Sequence, residues 1–556
     1  MRGPLALAPW LMLAVIALPV LAGLAGTLLP AFGYLPALGG TALSLEPFAM
    51  LLGKPGMVEA IFLSIWTGLA ATVISLALTF AFIAGWSESK TFQRLRALLS
   101  PLLSIPHAAA ALGIAVLLAP SGPLFRLIAP VFGWDAPPDL LTTRDPYGLA
   151  LIFGLVVKEV PFLFLMSLAA LPQTMPRRKM RIARAAGYGE IAGFTFAVLP
   201  ALYRQIRLPV FAVLAFSVSV VDVAMILGPN LPATLAICVL DLMRDPDLDA
   251  RFMAAAGAAL LMGLTLLLIL LWLAGERVTA RLMRPLAASG RRFPRDRAAR
   301  LLAMILMLAS TAAIFLGLAL LALWSVAGPW RWPDILPANL TLRGWMRVMP
   351  DLMPVLAETV LIAGLSAGAA LILVLLSLEA LRRGARLPRL HGLMFLPLIV
   401  PQLAFLFGLQ TSFIRFGLDG TTLAVAFAHL IFVLPYVWLS LSGPWAAYDR
   451  RIDKVGAALG ASPWRIFWRL RLPILLRPIL IAFAIGLAVS IGQYLPTLLI
   501  GAGRIETLTT QAVALSAGGN RQVIGVWALW QTLLPFLGFA LAAALPYLME
   551  NSRNKG

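Results

Sequence analysis

The stretch DKVGAALGASPWRIFWRLRLP at residues 453–473 has an echo in KMRIARAAGYGEIAGFTFAVLP at residues 179–200. In each, a glycine is followed 13 positions later by the proline of a Leu-Pro pair: Gly187 with Pro200, and Gly460 with Pro473. Both anchors are displaced by the same 273 positions. A run of small residues, a glycine, aromatics and Leu-Pro kept in register marks a tandem repeat, and repeats set architecture. Both copies are polar and basic and lie between long apolar runs, so each reads as a loop joining two membrane spans. The small residues Ala183, Gly187 and Gly189, and Gly456 and Gly460, allow close backbone approach, and a glycine permits a sharp turn between two short helices. Pro200 and Pro473 suit the first turn of the helix that follows each loop.

The composition agrees with a membrane setting. Of 556 residues, 61% are hydrophobic and 12% charged, against about 25% charged in soluble domains. Many apolar runs reach the roughly 20 residues needed to cross a hydrocarbon core. They are too long and continuous for barrel strands, so the expected class is an all-α integral membrane protein. Six spans are expected near 5–30, 60–85, 99–119, 148–171, 205–228 and 253–274. Six more follow near 301–324, 357–380, 391–412, 421–443, 474–500 and 525–548. That gives two tandem parallel six-helix repeats, residues 1–275 and 301–556, joined by a basic linker at 276–300 that reads as a flexible connector. The opening run is long for a signal peptide and is matched by the start of the second half, so it reads as a retained span.

An even number of spans per half puts both motif loops on one face. With these spans, 32 of the 44 Lys and Arg residues fall on that face and on the tails. They include Arg2, Lys90, Arg94, Arg96, the group Arg177 to Arg207, the linker arginines, Arg382 to Arg389, Arg450 to Arg477, and Lys555. The positive-inside rule then places both termini and both motif loops in the cytoplasm of a bacterial inner membrane. The formal charge of +20 is thereby explained by topology, without nucleic acid. The opposite loops are more acidic, with Asp241, Asp245, Asp247 and Asp249 read as a solvated outer surface. The first half has a longer outer loop (Ala119 to Tyr147) than the second (Thr411 to Gly420).

The two copies resemble the cytoplasmic EAA loop of binding-protein-dependent ABC importer permeases: Glu-Ala-Ala, three residues, Gly, nine residues, a hydrophobic residue, one residue, Leu-Pro. Gly187 and Gly460 match the glycine, and Ala197-Val198-Leu199-Pro200 and Leu470-Arg471-Leu472-Pro473 match the end. Arg181 and Lys454 stand where the family has its glutamate, with Asp453 beside the second. Gly460 to Arg465 and Gln493-Tyr494-Leu495-Pro496-Thr497 are also similar. The resemblance covers nearly the whole chain, as a fused, double-length permease of the iron(III), thiamine and YnjC-like group. It implies that each loop docks on one of two copies of a cytoplasmic ABC ATPase. The residues at stake would be Arg181, Ala183, Gly187, Gly189 and Pro200 in one loop, and Asp453, Lys454, Gly456, Gly460 and Pro473 in the other. It also implies an outer solute-binding protein that delivers cargo. No cofactor is expected in this chain, since ATP would be bound by the partner subunit.

The residues themselves fit that division of labour. The chain has neither GxxxxGK[ST] nor HExxH, and only three histidines, His107, His391 and His429. Cys238, the single cysteine, reads as a small apolar residue. Charges within spans are functional candidates: Lys158 and Glu159 in the fourth span, and Asp222 in the fifth, with Gln493 at the corresponding part of the eleventh. Asp222 and Gln493 are candidates for the pathway; helix-to-helix hydrogen bonding is the plainer reading. Lys158 is expected to pair with an acidic neighbour. Pro106, Pro161, Pro401, Pro435 and Pro496 fall inside spans, as hinges or as packing kinks. Two other classes make different demands on the residues. An ion-gradient-driven secondary transporter of six-plus-six architecture would carry a Gly- and Arg-rich loop between spans 2 and 3, and Trp86 to Ala97 has no glycine. A membrane-embedded lipid enzyme would need a converging acidic, basic or histidine set.

Overall fold

The computed structural model describes residues 4–386 and 391–553; Arg2, Arg389 and Lys555 lie outside them. Regular structure among the described residues is helical apart from two isolated bridges. Ten helices are long and apolar enough to cross a membrane, or twelve spans if each of two bent pairs is one span. The main helix of each span is α1 (Ala8–Ala31), α2 (Met57–Trp86), α3 (His107–Leu118), α4 (Leu149–Ala170), α5 (Leu199–Ser219), α6 (Ala250–Ala288), α7 (Arg297–Val326), α8 (Arg343–Arg382), α9 (Gln402–Arg415), α10 (Thr422–Ala447), α11 (Leu476–Ile491) and α12 (Arg521–Arg553).

Four spans are broken where the sequence reads as continuous. The third begins as a separate amphipathic helix, Lys90–Leu102, and restarts at His107 after Pro106. Its counterpart runs from His391 to Ile399, then bends by 102° into α9 after Pro401. Proline lacks the N–H that would continue the ladder, and here each one caps the next helix instead. The fifth span breaks at Val220–Val221 before a short helix, Asp222–Leu227. The eleventh breaks at Gly492–Tyr494 before Leu495–Ile500. A hydropathy window averages over these interruptions, because the few residues at each break are flanked by long apolar runs.

The repeat is visible in individual hydrogen bonds. The Ser64 hydroxyl of α2 accepts from Leu235 N at 2.9 Å. In the second half the Thr359 hydroxyl of α8 accepts from Leu508 N at 3.0 Å. Leu235 and Leu508 keep the 273 offset, whereas Ser64 with Thr359, and Pro106 with Pro401, lie 295 apart. The extra residues are those of the longer outer loop of the first half. That loop is tied to the second half: Arg126 donates to the carbonyls of Arg331 and Asp334 at 2.6 Å and lies 5.0 Å from the Trp330 ring centre.

The two halves exchange their first helices. α1 packs on α9, and α7 packs on α3. Both crossings bring glycine against glycine. A Cβ added at Gly408 would lie 2.0 Å from the Gly23 carbonyl oxygen, and one at Gly317 would lie 2.8 Å from the Gly113 carbonyl carbon. The Gly408 N–H donates to the Thr27 hydroxyl at 3.0 Å across 381 residues of chain. Such contact is how helices associate in lipid, where apolar side chains gain nothing by leaving the tails. Each half thus sets its first helix against the other, α1 also keeping α6 of its own half.

The linker is more ordered than its composition suggests. α6 continues through Ala288, so residues 276–288 are helical. The remainder is hydrogen-bonded to the first motif loop: Gly189 N donates to Arg292 O at 3.0 Å, and Ile191 N donates to an Asp296 carboxylate oxygen at 2.9 Å. Trp86 Nε1 donates to Arg300 O at 2.9 Å. Its arginines are separated by residues with specific partners in the first loop and at the end of α2.

Candidate functional site

Both motif loops fold as helix, glycine turn, helix. The first runs through Pro176–Ala185 and Glu190–Ala197, the second through Arg450–Ala458 and Pro463–Ile466. Gly187 and Gly460 take φ of +83° and +77°, a left-handed conformation that other residues adopt at a cost. Each turn closes with the same pair of bonds: Gly187 N to Arg184 O with Tyr188 N to Ala183 O, and Gly460 N to Ala457 O with Ala461 N to Gly456 O. This is a Schellman motif, which satisfies the last carbonyls of the first short helix. Pro200 and Pro473 sit in the first turn of the helices they open. Arg181, Lys454, Gly187 and Gly460 are exposed, whereas Ala183 and Gly456 are buried in the turn.

The loops differ in how they are held. In the second, Ser462 caps its helix, accepting from Arg465 N. The register position in the first is Gly189, which has no side chain to cap with, and the linker supplies Asp296 instead. A Cβ at Gly189 would come within 2.3 Å of the Phe293 carbonyl oxygen, so the glycine is what lets the linker approach. Asp296→Ala is expected to remove this cap, worth about 0.5–2 kcal/mol. Limited trypsin digestion checks it: cleavage at Arg291, Arg292, Arg295 and Arg297 should accelerate, while Ser462→Ala leaves that cleavage unchanged.

The second loop is held by charge. Arg471 reaches both the Glu379 carboxylate and, at 2.8 Å, an Asp453 carboxylate oxygen. Arg382 Nε donates to the same Asp453 oxygen at 2.9 Å, and Arg383 Nε donates to Glu379 at 2.6 Å. Burial would raise the Asp453 carboxyl, but the Arg382 and Arg471 guanidiniums outweigh it and hold it below its ordinary value. Asp453 is thus turned into the protein. Glu379 and Arg471 were not singled out from sequence. The available signal was a lone glutamate at the end of an apolar run, followed by Arg382 and Arg383.

The intramembrane candidates gather where the broken spans meet. Asp222 opens the short helix after the break in the fifth span, within electrostatic range of His107. His107 Nε2 is 3.4 Å from Glu159 Oε1. Tyr494, at the break in the eleventh span, donates to Met225 Sδ at 3.3 Å across the two halves. Gln493 lies beside it, half-buried. With the 273 offset Gln493 corresponds to Val220, and Asp222 to Leu495, so the two candidates share a break but not a register position. Among the described residues Lys158 makes no salt bridge: its Nζ donates to the Leu102 and Ile105 carbonyls at 2.9 and 2.6 Å, which the break before α3 leaves free. His429 is buried between Ser490 and Thr497, at 2.8 Å from each hydroxyl, and this serves helix packing.

Residues 374–549 match a sequence model described as "Binding-protein-dependent transport system inner membrane component". The chain is also 33% identical to the inner membrane ABC transporter permease protein YnjC of Escherichia coli K12, across 96% of this chain and 95% of that protein. The chain belongs to the binding-protein-dependent ABC transporter permeases. The molybdenum transport system permease protein ModB of Mycobacterium tuberculosis is 29% identical over 31% of this chain and 68% of its own length. The near-complete overlap with YnjC fits a fused, double-length permease, and the shorter relative fits one that covers a single half. As an ABC permease, the chain is a multi-pass membrane transport protein.

Proposed function

We propose that this chain is the permease of an ATP-driven importer, in which the two loops transmit the closure of two copies of a cytoplasmic ABC ATPase to the spans. An outer solute-binding protein delivers the cargo. Both termini and both loops lie on the cytoplasmic side of the inner membrane. What carries the reading is the matched pair of Schellman-turned loops, 273 residues apart, each presenting an exposed basic helix beside a glycine turn. ATP then supplies the differential binding that alternating access requires. The junction of broken helices around Asp222, His107, Glu159, Gln493 and Tyr494 is the pathway's closed constriction, since discontinuous helices line transport routes where free backbone groups can meet cargo. The Lys and Arg bias toward the loop face supports the orientation.

The test is purification from the native membrane in mild detergent through a tag at the carboxyl end, with co-purifying proteins assayed for ABC ATPase activity. The ATPase should co-purify. A chain that purifies alone, with uptake that follows an ion gradient, would replace this reading with the secondary transporter.

A further inference from the structure

The two halves share turn geometry in their loops, but the ion pairs that fasten them to the spans differ in burial: Arg184 of the first loop meets Glu88, just past α2, with both side chains exposed, whereas Arg471 meets Glu379 of α8 with both buried. The 273 offset sets Met180 and Val198 against Asp453 and Arg471. The 295 offset, fixed by Ser64 with Thr359 and by Pro106 with Pro401, sets Ala84 and Ser87 of the α2 end against Glu379 and Arg382 of the α8 end. Ala84, Met180 and Val198 are all buried. Three apolar residues in one half thus stand where three charged residues form a chain of contacts in the other. Nor is the second ionic chain an exposed ornament: Glu379 and Arg471 are 1% and 5% exposed. Arg382 stacks 4.8 Å from the Tyr448 ring centre, and Arg383 lies 4.5 Å from that of Trp464. The first loop has the linker as a second support; Gly460 has no atom within 4 Å of a built Cβ.

We infer that Glu379 is a positioning residue for the second loop. Through Arg471 and Asp453 it locks that loop to the end of α8, so that the two move as one body, a task done in the first half by apolar packing, the linker and the solvent-exposed Arg184–Glu88 pair. This inference rests on the coupling role proposed above for the loops. Its physical basis is that a buried ion pair broken on one side leaves an uncompensated charge, whereas replacing the whole set by apolar residues that pack is tolerated. The network should therefore fail when cut at one point and recover when exchanged entire.

The experiment uses the full chain with its ATPase, Cys238→Ser, and spin labels at Val455→Cys and Ile372→Cys, both exposed. A reference pair is placed at Ile182→Cys and Ile74→Cys in the first half. Distances are measured by double electron–electron resonance without nucleotide and with ATP plus vanadate. In the parent the Val455–Ile372 distribution should be narrow and unchanged by ATP. Glu379→Ala should lose that narrow distribution while the reference pair keeps its own. Glu379→Gln, which keeps the shape and one hydrogen bond, carries the test if the alanine variant does not fold. The fourfold exchange Glu379→Ala, Arg382→Ser, Asp453→Met and Arg471→Val should restore the narrow distribution. A narrow distribution in both single variants overturns the inference, as does a fourfold exchange as broad as the singles. ATPase co-purification is scored separately on the parent, so its absence counts against the importer reading and leaves the distance result to decide the ionic link.

Discussion

Gly408→Leu should prevent the two halves from closing on each other. At this crossing the obstacle to any side chain is backbone: the Gly23 carbonyl oxygen at 2.0 Å, the Gly26 carbonyl carbon at 2.6 Å and Thr27 N at 2.7 Å from the built Cβ. Backbone cannot swing aside as a flexible side chain can, so α1 and α9 must separate, and the Gly408 N–H to Thr27 bond is lost with them. The loss should exceed the about 1–3 kcal/mol of an ordinary overpacking substitution. The measurement is the monodisperse fraction and apparent Tm in detergent. Gly364→Leu, on α8 with no atom within 4 Å of its built Cβ, is the control and should leave both near the parent values. An equally stable Gly408→Leu would mean that the exchange of first helices contributes little to assembly.

Tryptophan at the two loop glycines should uncouple ATP hydrolysis from movement of the spans, by two routes. Gly460 opens on free space, so Gly460→Trp bears the left-handed backbone cost of about 1–2 kcal/mol and projects its ring from the docking surface. Gly187 lies under the linker, with Arg292 Cδ 3.2 Å from a built Cβ, so Gly187→Trp must also displace Arg292. Both variants should insert and fold. Co-purified ATPase should fall in both, and only Gly187→Trp should open the linker to trypsin. Normal ATPase retention in both would remove the loops from the coupling role.

The sequence carried the repeat, the helical class, the number of spans and the turn at each loop, because each depends on local signals: apolar length, a glycine, a proline after Leu. It did not carry the breaks. Val220-Val221 is apolar, and Gly492-Gln493-Tyr494 is short enough to pass within a continuous apolar span, so only the folded structure reveals that the ladder stops there. Nor did it carry partners. Lys158 looks like half of an ion pair beside Glu159, yet adjacent helical residues diverge by about 100°, and the free carbonyls of Leu102 and Ile105 decide its contact. The linker's arginines suggest a flexible tether, while the informative residue is Gly189, whose missing side chain only makes sense once Asp296 and Phe293 are seen beside it. Asp453 lies beside the position of the family's glutamate, and only the structure shows that Arg382 and Arg471 turn it inward.

The exchange of first helices has a consequence for how the chain is made. Thr27 cannot meet Gly408 until 381 further residues have been synthesised, which at about 5–20 residues per second takes on the order of 20–80 s. Throughout that interval α1 can pack on α6 of its own half, but its Gly23–Thr27 face lacks α9. Interrupted synthesis therefore leaves a membrane-inserted fragment whose opening helix has an unfilled glycine face, a mark by which membrane proteases could distinguish unfinished chains from finished ones.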